Sequence, residues 1–556
     1  MLSNPKTSMT APRPRPGLLV QIALLLVVLA VEFFLFDTHE SRAQAKVYPR
    51  WNDQIQYLTE SYTGYEYARA HGLAAGLWHT LIKPSAQGTL HDFAAVIAFT
   101  LAGPSRNAAL ALNMLALIAW QAALFFAIAR RTQSLALAWA AAALPLCLSG
   151  PWQNAPGSAI DFRLDHLAMC ALGVTSAAAL MVDRFRSRRW SLAFGTAVGI
   201  TLLTRFLTGA YFVLIFAALL TWILRGDEKK LRTINLALAA AVAAAMAAPI
   251  FWLNREWVWN YYYIGHYFGP ESAIRDPHFD LGQSVAFVWE NFGQRQLGSF
   301  FGWLAALGTA ALVIGAFFAT STPKQTPASA ASRRGWWTLG AVFLLVPALI
   351  LTLHQQKSEV VLGALAPGAI VLIIAAWAAL LCRCTLRWLP PVFAAAVVIA
   401  AGWKFTARQL GPTGDEAAHD HFQEVAALAD YVFARAQAAG LKEPRVATDY
   451  IGDCLDGQVL RVVCYERHHA WVPFVMTLPI SIAEPSETQV MERLEQSDFV
   501  FLTEEASAGG YPFDQKLAAM RPQLRAWCDS HLRLIEHFSL IGRRMVLYQR
   551  REIPLP

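Results

Sequence analysis

The residues best suited to chemistry in this chain are a few aspartates, a lysine and a histidine, all close to the ends of apolar runs. Asp53 lies in YPRWNDQIQYLTESYTGYEYAR, beside Trp51 and ahead of Tyr57, Glu60 and Glu66. A carboxylate at a membrane surface among aromatic rings has the character of a general base for a hydroxyl. The competing reading is a solvated amphipathic helix whose Trp and Tyr belong to an interfacial aromatic belt. Asp161 and Asp165 lie in PWQNAPGSAIDFRLDHLAMCALG, with Arg163 and His166 nearby. Four residues apart, two carboxylates on a helix share one face. Asp165 also opens an apolar run, where the helix macrodipole favours a carboxylate, so helix capping competes with function there. Lys357, with His354, stands in the link HQQKSE between two apolar runs. An ammonium there either faces a phosphate or snorkels to the interface. Finally, REWVWNYYYIGHYFGPESAIRDPH is dense in Tyr and Trp, and its His266, Arg275 and His278 are candidate contacts for an anionic group, structural roles being the alternative for each histidine.

The elements that position these residues follow from composition. Of 556 residues, 56% are hydrophobic and only 15% charged. Soluble domains hold about 45–50% apolar and about 25% charged residues. A cytosolic enzyme, a disordered chain and a nucleic-acid binder are therefore excluded, and much of the chain must face lipid. The net charge of +7 is read as an excess of Lys and Arg in cytoplasmic loops, not as a nucleic-acid footprint.

Apolar runs of about 20 residues fall near 17–36, 106–129, 134–150, 165–182, 190–204, 208–224, 233–253, 298–320, 336–354, 360–381 and 388–404. Residues 91–103 are apolar but short for a crossing and read as a re-entrant or interfacial segment. With about eleven spans, Lys6, Arg13 and Arg15 share one side with Arg130 and Arg131, Arg184 to Arg189, Arg225 to Arg232, Lys324 to Arg334, and Arg383 and Arg387. By the positive-inside rule the N-terminus is inside and the C-terminal region outside. Ala43-Gln44-Ala45 is similar to a signal-peptidase site, but the preceding run exceeds the roughly 7–15 apolar residues of a signal peptide. A retained anchor is the favoured reading and cleavage the alternative; neither changes the sidedness of later spans.

From about residue 405 charge clusters and short apolar runs (RVATDYI, SDFVFLTEE, RRMVLYQR) alternate with helix-like stretches, the pattern of a small α/β domain. The segment STPKQTPASAAS at 321–332 reads as a flexible linker. Seven cysteines form no disulfide scaffold. Cys382 and Cys384 lack the second pair or nearby histidine of a zinc site, while Cys454 and Cys464 either pair in an oxidising compartment or remain free buried thiols. The outer carboxylates are hard oxygen ligands of the kind a divalent cation takes, but no ligand spacing points to a metal site.

Carboxylates early and cations late on one outer face suit a site that deprotonates an acceptor and stabilises a phosphate leaving group. A non-catalytic transporter or flippase of lipid-linked sugars is the competing class. Against it, no two halves of the chain match and the polar groups sit at the outer boundary rather than mid-membrane. A membrane-anchored binding module built on the C-terminal domain is a third reading.

The order of one span, an outer loop with aromatic-x-Asp, an amphipathic stretch, a second span with a basic end and then an outer acidic motif resembles the polytopic glycosyltransferases of the GT-C superfamily. The stretch DHLAMCALGVTSAAALMVDRFRSRRWSLAFGTAVGITLLTRFLTGAYFVL and the link HQQKSEVVLGALAPGAIVLIIAAWAAL resemble its protein O-mannosyltransferase and aminoarabinose-transferase-like branch. The resemblance covers roughly residues 17–404 and does not extend to the C-terminal domain. With the runs and charge pattern above, it gives the expectation of an α-helical polytopic membrane protein of about eleven helices, N-in and C-out, in the plasma membrane. Residues 1–404 would form the transmembrane glycosyltransferase domain and 405–556 an extracytoplasmic α/β domain. It further implies transfer of a sugar from a polyprenyl-phosphate donor to a lipid, glycan or protein acceptor. Asp53 matches the catalytic base, Asp165 or Asp161 the second acidic motif, and Lys357 a donor-phosphate contact. The chain departs from the pattern at Gln54, where many members carry Glu.

Overall fold

The computed structural model describes residues 16–47, 52–153, 155–268, 279–306, 327–381, 388–411, 416–449, 457–471, 475–477, 486–504 and 512–553. The first apolar run forms α1 (Pro16–Leu35), which continues through a π-helical turn to Gln44. The aromatic-acidic stretch that follows is the helix α2 (Asn52–His71); α3 (Leu73–Ile82) and α4 (Leu90–Ala102) are short apolar helices packed on it. At 13 residues, α4 is about 20 Å long, too short for a hydrocarbon core of about 30 Å. Then come α5 (Arg106–Thr132), α6 (Leu135–Cys147), α7 (Leu164–Met181), α8 (Arg188–Thr204), α9 (Thr208–Leu224), α10 (Lys229–Trp259), α11 (Leu281–Asn291), α12 (Pro327–Leu353), α13 (Ala366–Leu381) and α14 (Leu389–Gln409).

Among the described residues, seven helices are long and apolar enough to cross a membrane: those of α1, α5, α7, α10, α12, α13 and α14. The expected spans at 134–150, 190–204 and 208–224 are the shorter helices α6, α8 and α9. Most of the expected span at 298–320 lies outside the described residues, although 299–306 are helical. The short α6 packs between α5 and α14, so its ends meet protein rather than lipid, the condition under which irregular backbone is tolerated at membrane depth. Small residues bring backbones together: a side chain at Gly195 of α8 would strike the Ala239 backbone of α10, and one at Gly368 of α13 the Leu344 backbone of α12.

One end of the bundle gathers the basic loops. Arg131 donates to Asp183 at 2.8 Å, Arg186 to Glu228 at 2.6 Å, and the Arg184 guanidinium lies 5.2 Å from the Trp222 ring. The described candidate residues gather at the other end: Asp165 opens α7, whose far end leads to Asp183.

The C-terminal part is an α/β domain: α15 (Glu416–Ala438), β1 (Val446–Thr448), α16 (Gly457–His468), β2 (Val475–Thr477), α17 (Glu487–Glu495), β3 (Phe499–Thr503), α18 (Pro512–His531), β4 (Leu532–Leu540) and β5 (Arg543–Arg550). Strand order is β2-β1-β3-β5-β4, with β1 parallel to β2 and β3, and β5 antiparallel to β3 and β4. Phe499 and Phe501 of β3 enter one core and Val500 and Leu502 the other. The strand is therefore apolar on both faces, because side chains alternate with period two and helices cover both sides. Cys464 is a free, buried thiol; Cys454, Cys382 and Cys384 lie outside the described residues.

The domain rests on α2 and the start of α5. Tyr62 donates to Glu466 at 2.9 Å, Arg106 donates its Nε to Glu466 at 3.0 Å, and Tyr465 donates to Glu66 at 2.5 Å. Arg106 is buried and also donates to the carbonyls of Ala45, at 2.8 Å, and Val47. One guanidinium thus ties the end of the first span to the sheet domain.

Candidate active site

The site begins with a buried loop between α6 and α7. Residues 158–163 are buried, so their peptide groups need partners inside the protein. Asn113 of α5 donates to the carbonyls of Ala159 (2.9 Å) and Asp161 (3.0 Å), and Gln54 of α2 accepts from the Phe162 N–H at 3.1 Å. Gln54, the residue that departs from the family pattern, is itself buried and latches the first turn of α2 to this loop.

That latch sets Asp53 beside Arg163. Arg163 donates Nη1 to Asp53 Oδ2 at 2.7 Å, and its Nε lies 2.8 Å from Asp161 Oδ2. The Asp53 side chain is 50% exposed and that of Asp161 is 0% exposed. Asp53 thus presents a half-exposed carboxylate at the protein surface, anchored on one oxygen. Among the described residues its other oxygen accepts no hydrogen bond. Asp161 also accepts from the Gly157 N–H at 2.6 Å. Burial pushes the Asp161 carboxyl up to about 7, against the opposing pull of Arg163 and the Gly157 N–H.

The shared helix face expected for Asp161 and Asp165 is not formed. Helix α7 begins at Leu164 with Arg163 as its N-cap, so Asp161 belongs to the loop and Asp165 to the first turn. Asp165 instead meets Arg205, the first of three residues between α8 and α9, at 2.5 Å; both side chains are nearly buried. Tyr57 of α2 is buried and donates to Gln87. Burial, reinforced by Asp53, pushes its phenol well above the usual range.

The later candidates approach the same region. His266 stands edge-on to Tyr261 and Tyr262, with centroids 4.6 and 5.6 Å apart, and its Nδ1 is 3.5 Å from His354 Nε2. Burial holds the His354 imidazole below its usual value. Gly157, at φ +80°, lies against Val360 with no room for a side chain, which brings the aspartate loop to the Lys357 link. Lys357 turns back onto its own helix and donates to the carbonyls of Thr352 (2.8 Å), Leu351 (3.4 Å) and His354. It thereby satisfies the open C-terminal carbonyls of α12. Arg275 and His278 lie outside the described residues.

Other early carboxylates are engaged in structure. Glu60 and Asp92 both pair with Lys83, and Asp92 also accepts from Ser61 at 2.6 Å; Glu66 is held by Arg69 and Tyr465. Asp53 is the acid of this loop left facing outward. Among the described residues no three His, Cys, Asp or Glu side chains gather as a metal site. The grouping that remains is one outward carboxylate backed by a guanidinium, a second acid–guanidinium pair, and aromatic and imidazole groups beside them. It can accept a proton and offset negative charge.

Arg205 went unrecognised in the sequence. Its signal was a lone arginine in TLLTRFLTGA between two apolar runs, since a cation at membrane depth needs a partner and usually has a task. Lys83 was missed as well, and only its position in the chain after an apolar helix marked it.

No known sequence family matches the chain, and no curated protein matches its sequence. Solved structures do match. ArnT from Cupriavidus metallidurans bound to undecaprenyl phosphate superposes with a TM-score of 0.54 at 16% identity, covering 97% of this chain and 99% of that one. ArnT in the apo state gives a TM-score of 0.51 at 14% identity, covering 96% and 98%. The match runs the length of both chains, so the C-terminal domain, unrecognised in the sequence, shares in it. The chain therefore shares the fold of ArnT.

Proposed function

We propose that the protein is an integral membrane glycosyltransferase that moves a sugar from a polyprenyl-phosphate donor to an acceptor hydroxyl at the outer face of the membrane. The observation that carries this reading is the half-exposed Asp53, held by Arg163 at the end of the bundle opposite the basic loops. The likeness to a protein whose structure contains undecaprenyl phosphate supports the donor class.

In this reading Asp53 takes the proton from the acceptor hydroxyl as its oxygen bonds to the anomeric carbon. The bond from that carbon to the phosphate oxygen breaks, the electron pair leaves with the phosphate, and the configuration inverts. A fixed carboxylate supplies general-base catalysis only if it stays within hydrogen-bond reach of the proton, and Arg163 provides that fixation. Arg205 and the His266–His354 pair are assigned, in this reading, to offset negative charge on the leaving phosphate. Lys357 joins them if a phosphate displaces one of its carbonyl contacts, and Arg275 is assigned the same role from sequence alone.

The test is transfer of radiolabel from polyprenyl-phosphate sugars in membranes containing the protein. A labelled product that disappears in Asp53→Asn is expected. If no donor yields product while labelled lipid crosses the bilayer, the protein is a flippase and the reading fails.

A further inference from the structure

Away from the aspartates, the junction between α2 and the C-terminal domain encloses an open cleft of about 600 Å³, a size typical of small-ligand sites. Thr63, Glu66 and Tyr67 form one wall, the Lys442–Arg445 segment another, and Tyr465, His469 and Trp471 the third. Glu66 and Asp53 are thirteen residues apart on one helix, so the cleft lies about 20 Å from the proposed base.

Its side chains are held in place. Tyr67 is stacked between His71 and His79, with centroids 4.2 and 4.1 Å away, so its hydroxyl direction is set. Glu66 is fixed by Arg69 at 3.0 Å and by the Tyr465 hydroxyl. Trp471 leans on Phe433 at 4.6 Å, and Phe433 is stacked at 3.8 Å on His468, which is bonded to Asp430. The chain leaves α16 with both His469 (φ 51°) and Trp471 (φ 64°) in the left-handed region. Non-glycine residues avoid that region unless the surroundings enforce it, and such residues concentrate at ligand sites. At the rim, Lys442 and Glu443 are exposed, and among the described residues their side chains make no hydrogen bond or ion pair.

We infer that this cleft binds a saccharide, the part of the acceptor remote from the reacting hydroxyl. A sugar ring offers a C–H face and a rim of hydroxyls that both donate and accept. The cleft offers one half-buried indole for the face, with a fixed carboxylate, a phenol, an ammonium and a second carboxylate around it for the rim. Assigning the saccharide to the acceptor rests on the proposed function; saccharide binding itself does not.

The test uses the full-length protein in detergent and saturation-transfer NMR with two probes, linear mannohexaose and tetragalacturonate. Saturation of the sugar ring protons is expected with at least one. Its apparent Kd should rise about tenfold in Trp471→Ala, as truncating a central aromatic anchor does, and rise in the surface double variant Lys442→Ala/Glu443→Ala. It should be unchanged in Asp53→Asn. No saturation with either probe, or an unchanged Kd in the double variant, overturns the inference. Saccharide binding by the unsubstituted protein, with no sugar transferred from any polyprenyl-phosphate donor, would remove the proposed function and leave the cleft standing.

Discussion

Arg163 holds Asp53 by a 2.7 Å hydrogen bond to one carboxylate oxygen while its Nε lies 2.8 Å from the buried Asp161. The base is therefore positioned by a guanidinium that is itself braced from behind. Asp53→Ala should lower transfer by about 10²–10⁴-fold, the usual worth of a general base, without reducing the amount of protein in the membrane. Arg163→Gln should cost less, about 10²-fold, through misplacement of the carboxylate. Substantial turnover in Asp53→Ala would remove the base assignment.

Asp165 and Arg205 form a nearly buried pair, and removing one partner strands the other's charge. Arg205→Met should destabilise the protein by about 3–5 kcal/mol, and Asp165→Asn/Arg205→Met by clearly less, because the double variant leaves no uncompensated charge. Thermal unfolding of the two variants in detergent reads this; equal losses would show that the pair is not coupled.

Asp161 should make stability depend on pH. Its carboxyl titrates near 3.8 when unfolded and near 7 in the fold, so between these values the folded state holds a proton that the unfolded chain has lost. Stability from this group is present at low pH and declines as pH rises from about 4 to about 7. Asp161→Asn should flatten that slope. Denaturant midpoints measured across this range would disprove the assignment if the two proteins keep the same slope.

Arg106 joins Glu466 to the carbonyls that end the first span. In Arg106→Met, amide exchange should accelerate together in α16 and at residues 44–47, since both lose a charge-assisted partner. Exchange that rises in one segment alone would mean that they are not linked through this residue.

Much of this architecture is legible along the chain because its signals are local. Apolar runs of span length, basic residues in alternate links and the short amphipathic stretch at 52–71 each report on a few consecutive residues, and lipid as solvent forces such runs into helices. The α/β character of the C-terminal part follows from the same local periodicity. That Asp53 and Asp165 belong to one end of the bundle is legible from topology, since the end of one span and the start of the next share a face.

What the chain alone does not determine is which charges meet. Spacing put Asp161 and Asp165 on one helix face, yet the helix starts only at Leu164, and each acid takes a different arginine, Asp161 the neighbouring Arg163 and Asp165 the distant Arg205. Nothing local distinguishes Asp53 from Glu60; Lys83, 23 positions further on, pairs with Glu60 and leaves Asp53 outward. Arg106 finds Glu466 across 360 residues. Such pairings depend on side chains brought together by packing of distant helices. A buried charge must find a partner wherever the fold supplies one, and only the tertiary structure decides where that is.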